Sequence, residues 1–126
     1  MTEIRTKYFS VEEAQLTLPL VRKIVNDILN SGKKINQLKT DRSKRIEENS
    51  DVLNHVNQIN KFIAELEEIG CYYKDWSFEI GLVDFPAIIN GEEVFLCWRS
   101  DEDTISHYHG ISAGYSGRKM ISANPL

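Results

Sequence analysis

From Val11 to Leu29 the apolar residues fall three and four apart: Ala14, Leu18, Val21, Ile24, Val25, Ile28 and Leu29. That spacing lines one face of a helix. The helix could stop at Gly32 or run on to about Leu38; Ile35 and Leu38 continue the pattern and a lone glycine costs a helix only about 1 kcal/mol, which favours running on. Pro19 removes one backbone hydrogen bond and predicts a kink over Gln15 to Leu18. At the start, Ser10-Val11-Glu12-Glu13 has the form of a capping box, with Phe9 placed to staple onto Ala14. Glu12 and Glu13 also suit the positive end of the helix dipole. A second series steps the same way through Val52, Val56, Ile59, Phe62, Ile63, Leu66 and Ile69. Ser50 or Asp51 can cap it, and Gly70 can end it. The polar stretch from Thr40 to Ser50 links the two, so residues from about 10 to 70 predict an antiparallel helical hairpin.

After Gly70 the period changes. Cys71-Tyr72-Tyr73-Lys74 is a candidate first strand. Asn90-Gly91 is the preferred dipeptide of a two-residue hairpin turn, and alternating apolar residues flank it. Counting out from that turn pairs Ile89 with Glu92, Ala87 with Val94, Phe85 with Leu96, Asp84 with Cys97 and Val83 with Trp98. One face then carries Val83, Phe85, Ala87, Ile89, Val94, Leu96 and Trp98, and should lie on the helices. The other is mixed, with Asp84, Cys97 and Arg99 close together. Pro86 cannot donate to a ladder, so its strand should be an edge there, or bulged.

Ser100 to Asp103 predicts a second turn, and Thr104 to His109 a third strand. Ile105, His107, His109 and Ile111 share one parity. The isoleucines argue that this parity points inward, and pairing Arg99 with Thr104 agrees, setting His107 opposite Leu96. Residues 71–126 therefore predict a β-meander of three or four strands with a glycine-rich tail through Gly110, Gly114 and Gly117. The fold class is α+β: a long helical hairpin packed on a small antiparallel sheet, in one domain of 126 residues.

Charge narrows the partners. The formal net charge is −4, and a duplex nucleic-acid binder usually shows a basic excess, so no nucleic acid is expected. Lys33, Lys34, Lys39, Arg42, Lys44 and Arg45 cluster, but Glu47, Glu48 and Asp51 follow at once, which is the composition of a solvated surface. Two cysteines, Cys71 and Cys97, make no disulfide framework and suit a cytoplasmic protein with reduced thiols. The start MTEIRTKYFS lacks the apolar run of a signal peptide, and no run of about 18 apolar residues exists, so no membrane partner is expected.

The candidate chemistry lies in the sheet half. His107 and His109 on one strand face would stand roughly 6.5–7 Å apart, a spacing that suits chelation of one divalent metal such as zinc. A helix carboxylate, with Glu13 first and Glu12 and Asp27 as others, would complete the shell. Two satisfied core histidines are the plainer account of the same pattern. Asp84 beside Cys97 and Arg99 could make a small polar pocket, with an Asp84–Arg99 ion pair at the surface as the preferred account. Cys97 as a nucleophile would need a nearby base, which the inward parity of the histidines denies it. Arg118 after the glycines could anchor an anion or simply tie down its loop. His55 lies one position off the apolar stripe and reads as a boundary residue.

Taken together, these residues resemble the uncharacterised bacterial family called Domain of Unknown Function 2203. The likeness runs through Tyr8-Phe9-Ser10, Glu12-Glu13-Ala14, Leu18-Pro19, Gly70-Cys71, Gly81-Leu82-Val83-Asp84-Phe85-Pro86, Gly91, Leu96-Cys97-Trp98, Ile105, Tyr108-His109, Gly114 and Gly117-Arg118. It implies a shared fold and a shared site at Asp84, Trp98, His109 and Arg118, and no reaction. Where the family pattern carries an acidic or polar residue after the second histidine, this chain has Gly110. The function expected is a binding protein with a polar, metal-binding site between sheet and helices. The alternative is a non-catalytic module that self-associates or meets another protein through the helical hairpin. An enzyme using Asp84 and Cys97 is the least supported reading.

Overall fold

The computed structural model describes residues 6–39, 50–75 and 77–121. Helix α1 runs unbroken from Val11 to Lys39, and α2 from Ser50 to Ile69. The expected continuation through Gly32 is therefore observed, and Gly32 serves packing. A Cβ there would lie 2.6 Å from Cβ of Phe78, so only glycine lets that residue approach the helix. The capping box forms as expected: the Glu13 amide donates to Ser10 Oγ at 3.0 Å and the Ser10 amide to Glu13 Oε1 at 3.3 Å. The amides of Gly70 and Cys71 both donate to the Leu66 carbonyl at 3.1 Å and close α2. The predicted link over 40–49, with Arg42, Lys44, Arg45, Glu47 and Glu48, lies outside the described residues.

Among the described residues five strands follow, against the three or four expected: β1 Tyr72–Tyr73, β2 Leu82–Ile89, β3 Glu92–Arg99, β4 His107–Gly110 and β5 Lys119–Met120. They lie in sequence order in one antiparallel sheet. The fold is α+β, a helical pair on a meander. Asn90 and Gly91, with φ of 52° and 79°, make the turn between β2 and β3. Every pair counted from that turn is observed, including Asp84 with Cys97 and Val83 with Trp98. The inner face carries Val83, Phe85, Ala87, Val94, Leu96 and Trp98 into one core with Ala14, Val21, Val25, Ile28, Ile59 and Leu66 of the helices. Phe9 meets Phe85 edge-on at 5.3 Å.

Pro86 sits where a strand can accept it. Its carbonyl faces away from β3 and accepts the Phe9 amide at 2.7 Å. A strand residue's N and O point the same way, so the missing N–H falls on this outer edge and costs no β2–β3 bond.

The third long strand departs from expectation. Cys97 pairs with His107, Leu96 with Tyr108 and Phe95 with His109, one residue away from the predicted register. The link after β3 is longer than a tight turn. The Glu102 amide donates to the Arg99 carbonyl at 2.8 Å, and the Trp98 indole N–H to the Glu102 carbonyl at 2.9 Å. Gln15 of α1 then holds Ile105 by both backbone groups, donating to its carbonyl at 2.8 Å and accepting from its amide at 3.0 Å. Ile105 is thus buried as predicted, but as a loop residue ahead of the strand. Its parity does not carry into β4, so Tyr108 packs toward the core and the two histidines turn to the outer face.

Gln15→Ala would leave two backbone groups of Ile105 without partners. It is expected to lower stability by about 1–3 kcal/mol in urea unfolding, with a Gln15→Leu variant giving a loss of the same size if the hydrogen bonds rather than packing are responsible.

Candidate metal centre

Three adjacent strands each contribute one side chain to the outer face. Asp84 of β2 stands directly across from Cys97 of β3. Since Pro86 points its backbone groups to the edge, the pair two residues earlier is also a non-hydrogen-bonded one, the closer kind, with side chains drawn together. His109 of β4, opposite Phe95, reaches the same point diagonally. Asp84, Cys97 and His109 are only 5%, 2% and 4% exposed. One ligand atom from each lies within 4.8 Å of the other two.

The hydrogen bonds define what this trio needs. His109 Nδ1 lies 2.9 Å from the Gly110 carbonyl, and Nε2 lies 3.1 and 3.2 Å from the two Asp84 oxygens. Both ring nitrogens face acceptors, whereas a neutral imidazole has one N–H. With Nδ1–H given to Gly110, the Nε2 lone pair faces a carboxylate, and a proton or a metal cation must lie between them. Burial, the Asp84 carboxylate and its hydrogen bond push the Cys97 thiol up to about 12, against the lesser opposing pull of Arg118. Burial likewise pushes Cys71, on the core side, up to about 12.

The glycine-rich tail, not the helical hairpin, covers this face. Gly114, at φ 64° and ψ −169°, takes a conformation essentially reserved for glycine and starts the 3-10 turn Tyr115–Gly117. The Tyr115 hydroxyl accepts from Arg99 at 2.6 Å. Arg118 donates to Glu102 at 2.5 Å and to the Cys97 carbonyl at 3.2 Å, and its guanidinium lies 5.0 Å from the Tyr115 ring. Burial works to lower the Arg118 pKa, but Glu102, Cys97 and Tyr115 together more than offset it and raise it above the ordinary value. A pocket of about 250 Å³ remains between trio and tail, with Lys74, Leu82, Phe95, Ile111 and Tyr115 in its walls.

Of the residues singled out in the sequence, Asp84 and His109 meet, with Cys97 as the third member. His107 shares their face but binds elsewhere: its Nδ1 lies 3.3 Å from Glu102 Oε2 and 3.0 Å from Ser106 Oγ. Arg118 braces the same Glu102. Trp98 is fully buried on the opposite face, with Arg22 5.4 Å from its ring. Glu13 stays exposed in its capping box, Glu12 is exposed beside it, and Asp27 pairs with Lys23 at 3.2 Å. The expected site between sheet and helices is thus corrected. The polar cluster lies on the far side of the sheet because β4 is shifted by one residue, and the same shift brings Cys97 and His109 together. The hairpin register already sets Cys97 beside Asp84 in the sequence; its meeting with His109, and Glu102 as the brace, were not apparent there. The signal for the true parity was Tyr108, whose ring belongs in a core more than an imidazole does.

The architecture defines a class: a helical pair on an antiparallel meander, with a buried carboxylate–thiol–imidazole trio under its tail. The chain matches the family model described as "Uncharacterized conserved protein (DUF2203)" over residues 7–121, and it belongs to that family. Comparison with curated proteins and with solved structures found no match. Among the described residues, no helix is long and apolar enough to cross a membrane.

A thiol held this far above its ordinary value is a poor nucleophile. At pH about 8.5, where an unperturbed cysteine is half ionised, iodoacetamide is expected to leave Cys71 and Cys97 unmodified in the native metal-free protein and to label both in denaturant. Rapid native-state labelling of Cys97, read by peptide mass spectrometry, would contradict this burial.

Proposed function

We propose that this protein binds one divalent transition-metal ion, zinc above others, through Asp84, Cys97 and His109. The observation that carries the reading is the double acceptor environment of His109 beside a buried thiol and carboxylate. Nδ1–H donated to a backbone carbonyl is the arrangement that fixes a ligating histidine with Nε2 toward the metal. Thiolate, imidazole and carboxylate together form a zinc donor set. Ligand atoms around a tetrahedral zinc stand about 3.4 Å apart at bond lengths of about 2.0–2.3 Å, so the trio would draw in by about 1.4 Å at most.

Charge bookkeeping supports the same reading. A carboxylate with a neutral thiol and an imidazolium has no net charge. A divalent ion on carboxylate, thiolate and neutral imidazole has none either. Exchanging two protons for one ion therefore leaves no uncompensated charge in a buried place. Arg118, next to Cys97, favours the thiolate that such an ion requires. Three protein ligands leave a fourth position, and the pocket adjoins them.

Protein purified without a histidine tag is expected to carry or take up about one zinc per chain, and zinc at about 100 times its dissociation constant to stabilise the fold by about 2.7 kcal/mol. Co²⁺ should give thiolate-to-metal charge-transfer absorption that Cys97→Ala removes, with folding of the variant checked by circular dichroism. No bound metal, and melting unmoved by zinc or EDTA, would sink the reading.

A second reading, self-association through the helical pair, is favoured by Leu16 and Leu20, exposed one turn apart on α1, and by Leu53 and Val56 on α2. Light scattering over a range of concentrations should then show a dimer that Leu16→Glu with Leu20→Glu dissociates; a monomer at every concentration removes this reading.

A further inference from the structure

Resting on the metal reading, we infer that the pocket beside Asp84, Cys97 and His109 is a subsite for a small organic carboxylate with an apolar tail. The anionic end would take the open metal position, and Lys74 would supply the positive charge that answers it.

Three observations carry this. Lys74 is the cationic residue in the pocket wall. Its ammonium lies 6.0 Å from the centre of the Phe95 ring, and that ring lies 5.6 Å from the His109 imidazole, so one aromatic side chain joins the cation to the trio. Lys74 forms no ion pair with a carboxylate among the described residues, whereas Arg99, Arg118 and Lys23 each do. A metal already neutralised by its carboxylate and thiolate, with one lysine beside it, suits a monoanion, and oxygen ligands suit zinc.

The walls set the rest of the ligand. Leu82, Phe95 and Ile111 give the pocket an apolar side, and Ile111 is 55% exposed. Lys74, Phe95 and Ile111 also line a second pocket of about 340 Å³, which continues along the sheet past Tyr72 and Pro86. The second also carries Thr6, Tyr8 and Glu93, so its wall is mixed, and the apolar strip common to both is Phe95 with Ile111. A pocket of about 250 Å³ holds about eight water-sized volumes, enough for a carboxylate and a short chain, with a longer tail passing along Phe95.

The test uses the full chain loaded with Co²⁺ and titrated with acetate, propionate, butyrate and hexanoate, read by the cobalt absorption bands. The expected result is saturable spectral change, with affinity rising about two- to threefold for each added methylene. Lys74→Met, which keeps the apolar stem, should take up Co²⁺ as before and weaken each carboxylate about two- to fivefold. Bands indifferent to carboxylates, equal effects from chloride, or an unaltered affinity in Lys74→Met would each overturn the inference while leaving the metal reading intact. Failure of the wild-type protein to take up Co²⁺ would overturn both.

Discussion

A carboxylate can be buried only if its charge is answered nearby. Asp84 is the one buried acidic residue among those described, and the outer side of the sheet is arranged around it. The Cys97 thiol and the His109 ring are brought to it by strand pairing, so β-sheet register is what meets the electrostatic demand. The tail from Gly110 onward then closes over the group, pinned by Arg99 to Tyr115 and by Arg118 to Glu102. An ordinary two-layer protein would leave this face to solvent. Here it holds a buried carboxylate, thiol and imidazole instead.

The two faces therefore divide the work. The inner face, with Phe85, Leu96 and Trp98, joins the helices in one apolar core and supplies stability. The outer face holds groups that cost stability unless they are paired. Glu102 is where the two sides meet. Its backbone carbonyl accepts from the core indole of Trp98, while its carboxylate receives Arg118, the Arg99 amide and the contact with His107. A loop residue thus fixes both the end of β3 and the anchor of the tail.

Much of this was legible in the chain. The capping box at Ser10 and the β2–β3 register follow from short stretches whose spacing admits one arrangement, while the passage of α1 through Gly32 was the favoured of two readings. His109 could be named as a site residue from the His-x-His pattern, and Asp84 through the family resemblance. Their meeting could not be read. The residues from Ser100 to Ser106 do not announce the length of their turn, and Ile105 satisfies either register by lying inward.

The sequence by itself determined the elements and the pairing across Asn90-Gly91, because helical period, caps and two-residue turns act over a few residues. Only the tertiary structure decided which way the histidines face. That choice depends on Gln15, 90 residues away from Ile105, and on a one-residue offset that reverses every side chain of β4. The same offset separates a histidine pair under the helices from a carboxylate, a thiol and an imidazole gathered beneath the tail.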